Sequence, residues 1–292
     1  MKILPAILLA SLTPCIAAGQ DIVKLVSNEI CLCIDTLAGM NDLETKLDSC
    51  LNVALENVIG LLDEDQQEMM ADEQTIDKTV SDVSEKLLFY CPKIRDFVLS
   101  EREKTYYRIS DSEKANEYYD AGVKSMDAKE YRKAEKYFLK AVKADRSWVY
   151  PLDDLGLNYR LMGKYKKAVK YYGKSLSIYP EGSYALQNQA VAYTYIKDFD
   201  KALRNYNLLA FLYPDNPEGF FGTARVHFLT GNYEDALQYA FYAHRMYINQ
   251  QSEYKKDSEK LISLIRDKLS EQGKSDVYND TARKFGFDPG DK

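Results

Sequence analysis

An internal rhythm of 34 residues restricts this chain more than any other feature. Ala134, Ala168, Ala202 and Ala236 recur at that interval, each preceded three residues earlier by a ring: Tyr131, Tyr165, Phe199 or Tyr233. Phe138, Tyr172 and Tyr206 follow four residues after the alanine, with Ala240 in the fourth copy. Gly122 and Gly156 keep the same step, continued by Ala190 and Ala224. Pro180 and Pro214 close two copies, where Arg146 and Ile248 stand in the other two. A period of this length encodes one supersecondary unit per copy, which cannot bury its apolar face alone and must stack on its neighbours. The small residues mark close helix crossings and the rings fill the space between hairpins. Gly163-Lys164, Lys197-Asp198 and Gly231-Asn232 supply turns, and the prolines end second helices.

In these positions the sequence resembles the tetratricopeptide repeat family over about 115–250, in four copies: 115–148, 149–182, 183–216 and 217–250. It departs from the family at Ala190 and Ala224, where glycine is preferred, and at the two missing prolines. The resemblance implies an all-α fold, an α-solenoid of four hairpins whose first helices line a concave groove, where members commonly bind extended peptides or helices. By register that groove carries Tyr119, Asp153, Gln187 and Phe221, then Val123, Leu157, Val191 and Arg225 one turn later. Tyr150 and Tyr184 stand at its upper rim, with Asp154 and Asn188 nearby. Tyrosine offers contact area at low entropic cost together with a hydroxyl, which suits recognition. Members that grip the acidic tail of heat-shock chaperones use lysine, arginine and asparagine at set positions. Here those positions hold Tyr119, Val123, Asp154, Tyr184 and Asn188, so that clamp is absent.

A stack needs a closing helix with a polar outer face. Residues 251–272 supply one, with Leu261, Leu264, Ile265 and Leu269 at helical spacing. The polar stretch 273–292, with Pro289-Gly290, reads as a frayed tail.

Residues 20–110 form a separate helical region, read as three helices. Ile22, Val23, Val26, Ile30 and Ile34 make one apolar stripe, stopped at Gly39. Asn41 and Glu44 give a capping signal for the next helix, which carries Leu43, Leu47, Leu51, Val53, Ala54, Val58 and Leu61. The acidic segment from Asp63 to Glu73 is a turn or the start of the third helix. Ile76, Val80, Val83 and Leu87 continue that helix until Pro92 kinks or ends it.

The first residues read as an export signal, 1–19. Lys2 precedes an apolar run from Ile3 to Leu12, and Ala17 and Gly19 suit a cleavage site, so the mature chain begins near Gln20, periplasmic or secreted. Pro14 directly before Cys15 argues against lipid attachment there. No other apolar run reaches spanning length, so no transmembrane segment is expected in the mature chain. The remaining cysteines, Cys31, Cys33, Cys50 and Cys91, all lie in the N-terminal region, as two disulfides would in an exported chain. Placing the turn near Met40 sets Cys31 level with Cys50, so the expected pairs are Cys31–Cys50 and Cys33–Cys91. A four-thiolate metal site fits this spacing poorly, and no metal or other cofactor is expected.

Charge is unevenly divided. Residues 21–108 hold nineteen acidic and nine basic side chains, and residues 111–292 hold twenty-six and twenty-nine. The overall charge of −6 argues against a nucleic-acid partner. No catalytic constellation stands out, and His227 and His244 read as packed or surface side chains. The expectation is an interaction module rather than an enzyme, holding a protein or peptide partner in the groove. The alternatives are a structural part of a cell-envelope assembly, contacted through the convex face or the acidic region, and an enzyme acting on envelope polymers.

Overall fold

A computed structural model describes residues 18–288, which contain helices and, among those residues, no strand. The expected export signal lies outside the described residues except for Ala18 and Gly19, which open the first helix, and Pro289-Gly290 also lie outside. The chain divides into two compact units between Thr105 and Tyr106.

The first unit contains α1 (Ala18–Cys33), α2 (Met40–Ile59), α3 (Glu64–Met70), α4 (Glu73–Tyr90) and α5 (Pro92–Tyr106). The stripe from Ile22 to Ile34 is buried as its spacing predicts, and meets Leu43, Leu47, Val58, Val83, Leu87, Ile94 and Val98 in one core. Val53 and Leu61 are instead exposed. Five helices replace the expected three. α1 ends six residues before Gly39, and Lys46 and Lys93 donate to the freed carbonyls of Ile34, Asp35 and Thr36. Gly39, not Asn41, precedes α2, and the capping box expected with Glu44 is absent; Asp42 instead accepts from the Ala38 N–H at 2.9 Å. The acidic segment forms α3, where Asp63 and Gln66 make a reciprocal capping box. Pro92 opens α5, where its missing N–H has no helical partner to lose.

The expected disulfide pairing is corrected. Cys31 bonds Cys91 and Cys33 bonds Cys50, with Cα separations of 5.5 and 5.8 Å. α1 packs against both α2 and α4. Side chains two apart on a helix point to opposite sides, so Cys31 faces the end of α4 while Cys33 faces α2. Because α1 stops at Cys33, matching residues by level across one tight turn does not apply. The side of the helix decides the partner.

The second unit begins at Tyr106, the last residue of α5, and contains four hairpins: α6–α7 (Glu113–Asp127, Tyr131–Ala144), α8–α9 (Tyr150–Leu161, Tyr165–Ile178), α10–α11 (Ser183–Tyr195, Phe199–Leu212) and α12–α13 (Pro217–Leu229, Tyr233–Asn249). The turn between the helices puts Lys129, Gly163, Lys197 and Gly231 at φ between 59° and 81°, again 34 residues apart. Two are lysines, which accept this left-handed conformation at a cost glycine avoids. The recurring alanines 134, 168, 202 and 236 are fully buried. A Cβ on Gly122 would lie 2.6 Å from the Phe138 ring, and one on Gly156 would lie 2.5 Å from the Tyr172 ring. In the third hairpin Ala190 occupies the equivalent place. The Tyr206 ring shares a core cluster with Ala190 and also sits on Gly222 of the next hairpin, where a Cβ would be 2.1 Å away.

α14 (Lys255–Glu271) closes the stack through Leu261, Ile262, Ile265 and Leu269. The stretch after Gly273 is not frayed. It forms α15 (Ser275–Lys284), which buries Tyr278 and Ala282, while Phe285 and Phe287 pack on the same core beside Phe241.

Candidate functional site

The first helices of successive hairpins approach one another, α8 with α10 and α10 with α12, and so form a continuous layer. The second helices pack behind it, each against its own first helix and the next one. The sequence-predicted groove residues all lie on first helices, but they fall into three groups with different surroundings.

The first group is already engaged by the chain itself. Asp153 is 2% exposed and accepts a 2.6 Å hydrogen bond from the Tyr107 hydroxyl. The Tyr107 ring stands edge-on to Tyr150 at 5.0 Å and to Tyr179 at 5.9 Å. The residues that follow are fastened too. Trp148 Nε1 donates to the Arg108 carbonyl at 2.7 Å, and Ser110 Oγ donates to Asp145 at 2.6 Å. Residues 107–110 thus cover Asp153 and one side of Tyr150. Burial pushes the Asp153 carboxyl up to about 7, against the opposing pull of the Ser175 and Tyr107 hydroxyls. Burial also lifts its neighbour Asp154 to about 6, opposed by a hydrogen bond from Tyr119. Tyr119 is further occupied by the Trp148 ring, 4.9 Å away.

The second group joins the last two hairpins. Gln187 Nε2 donates to Glu218 at 3.0 Å, and the Tyr247 hydroxyl donates to the other Glu218 oxygen at 2.5 Å. Phe221 packs edge-on against the same Tyr247. Asn188 is buried and donates back to the Tyr184 carbonyl at 2.9 Å, so its amide is turned into its own helix.

The third group faces outward. Val123, Leu157 and Val191 are half-buried and lie at 34-residue steps along the layer, continued by the exposed Arg225. Tyr150 and Tyr184 are each 37% exposed above them. Arg160 lies beside the Tyr172 and Tyr184 hydroxyls, and burial holds Tyr184 up at about 12, so it stays a neutral hydroxyl. This strip offers apolar contact, ring faces, hydroxyl groups and cations at its far end.

Tyr107, Trp148 and Glu218 shape the site although periodicity does not single them out; Tyr247, which also shapes it, stands at the 34-residue step with Tyr179 and Tyr213. Tyr107 precedes the first copy, and Trp148 and Glu218 have no equivalents in the other hairpins. The two histidines are packing groups. His227 stacks on Tyr239, and His244 pairs with the Ser258 hydroxyl at 2.9 Å while burial holds its pKa below the usual histidine range.

Residues 149–181, the second hairpin, match the family model described as tetratricopeptide repeat. The crystal structure of MamA protein superposes with a TM-score of 0.51 at 18% identity, over 59% of this chain and 90% of that one. MamA from residue 41 onward, from Desulfovibrio magneticus RS-1, gives 0.51 at 14% identity, over 60% and 95%. No curated protein sequence matches the chain. The second hairpin thus matches a tetratricopeptide repeat, and the four hairpins, set at one 34-residue step, form an α-solenoid in a chain whose N-terminal helical unit is disulfide-braced.

Proposed function

We propose that this chain is a non-catalytic binding module that holds an extended segment of a protein partner along the strip from Leu157 to Arg225, outside the cytoplasm. The observation that carries this reading is the row Val123, Leu157 and Val191, with Tyr150 and Tyr184 above it, left partly uncovered by the rest of the unit. Large apolar and tyrosine side chains in a rigid concave layer are what recognition of a peptide requires. The segment 107–110 fills the neighbouring position at Asp153, so the partner runs towards the third and fourth hairpins rather than the first. Two disulfides agree with an oxidising compartment. Among the described residues no helix is long and apolar enough to cross a membrane.

The test is capture of partners from the protein's own cells by the immobilised mature chain and by the Leu157→Ala/Tyr184→Ala variant. Both side chains are partly exposed, so the variant should fold, and capture should fall about tenfold or more. Undiminished capture by the variant would exclude the strip as the binding surface.

A further inference from the structure

The groove leaves two strongly charged surfaces without a role. From Leu47 to Asp77 the chain has nine acidic residues and no lysine or arginine. Asp63 and Asp72 are used as helix caps. Glu64 and Glu68 on α3, and Glu73 and Asp77 on α4, are exposed, and each pair is four residues apart on one helical face. The second unit carries the opposite charge on its outer layer. α7 and α9 together bear nine lysines and arginines and a single acidic residue, Glu135, which is occupied by the Tyr159 hydroxyl at 2.6 Å.

The 34-residue period arranges these cations in rows. Lys136, Lys170 and Arg204 form one row across α7, α9 and α11, and Lys140 and Lys174 form another; all five are exposed. None of the five is ion-paired among the described residues. Lys140 stands 5.2 Å from the Tyr118 ring and Lys174 stands 5.0 Å from the Tyr171 ring. Such contacts hold an ammonium group in place without neutralising it. A rigid array of like charges repels itself and favours an anionic counter-surface. In α13 the pattern stops: the positions matching Lys133 and Lys136 hold Asp235 and Gln238.

We propose that the acidic α3–α4 surface of one copy docks on the basic α7–α9–α11 layer of a second copy. Each chain carries one surface of each kind, so the contact is heterologous and propagates head to tail, into a ring if the rotation closes and a filament if it does not. The proposal does not rest on the groove reading, because it uses the second helices and leaves the inner layer free.

Sedimentation velocity of the mature protein at low and high ionic strength tests it. Association should appear at low salt and weaken as salt screens the surfaces. Two neutralised variants separate the possible outcomes: Lys136→Gln/Lys140→Gln/Lys170→Gln/Lys174→Gln, and Glu64→Gln/Glu68→Gln/Glu73→Gln/Asp77→Asn. All these side chains are exposed, and circular dichroism confirms that both variants fold. Each alone should associate at least about tenfold more weakly than the natural chain. Mixed together they should form a one-to-one complex that grows no further, because one intact surface remains on each. A natural chain that stays monomeric at low salt overturns the proposal. So does association unchanged in either variant, or a mixture in which both stay monomeric.

Discussion

Asp153 is the residue whose surroundings depart furthest from its position in the repeat pattern. Register places it on the groove wall, while the structure buries it beneath Tyr107. The difference arises because Tyr107 lies before the first copy, so nothing in the period announces that it folds back. The burial has a pH signature. A carboxyl with a raised pKa in the fold binds its proton more tightly there than in the unfolded chain. Its contribution therefore favours folding at low pH and is lost as pH rises from about 4 to about 7. Asp153→Asn keeps an acceptor for Tyr107 and cannot ionise. At pH 8 it should be more stable than the natural chain by roughly 2–4 kcal/mol, with no advantage at pH 3. Chemical denaturation at the two pH values measures this, and parallel pH profiles for the two proteins would refute it. The aliphatic groove positions behaved more simply. Val123, Leu157 and Val191 lie where the spacing puts them, because an apolar side chain at a repeated position needs no particular partner.

The helices of the second unit could be read closely from the sequence, because the period fixes their turns, crossings and ends together. Those of the first unit were legible only as apolar stripes. Ile22 to Ile34 took their predicted burial, but the break after Cys33 is held by Lys46 and Lys93 reaching from other helices, a tertiary contact that no local pattern encodes. The same break re-paired the cysteines. The Cys31–Cys91 bridge spans 60 residues and the Cys33–Cys50 bridge spans 17. Loop-closure entropy then makes loss of the longer bridge more costly, by about 1 kcal/mol. Urea unfolding of Cys31→Ala/Cys91→Ala and Cys33→Ala/Cys50→Ala compares them. A Cys33–Cys50 deletion costing as much as the other would mean that local strain or residual structure outweighs loop length.

Across the molecule, the division into an acidic helical unit and a repeat stack was visible in charge and periodicity. The C-terminal end was not. A polar composition conceals that Tyr278, Ala282, Phe285 and Phe287 sit at spacings that cover the last hairpin, so α15 extends the closing layer that α14 begins. The second seat of Tyr206 bears on how such an array lengthens. Phe138 and Tyr172 each rest on a glycine of their own hairpin, and Tyr206, clustered with Ala190 of its own, rests also on Gly222 of the following one. The position equivalent to Gly222 in the third hairpin is Asn188. Tandem duplication of 149–182 would therefore add a self-contained module, with little change expected in melting temperature. Duplicating 183–216 would press the first Tyr206 against an asparagine and lower it. Gene duplication has free choice of unit at one end of this array, while at the other only the third and fourth units copied together make a heritable block.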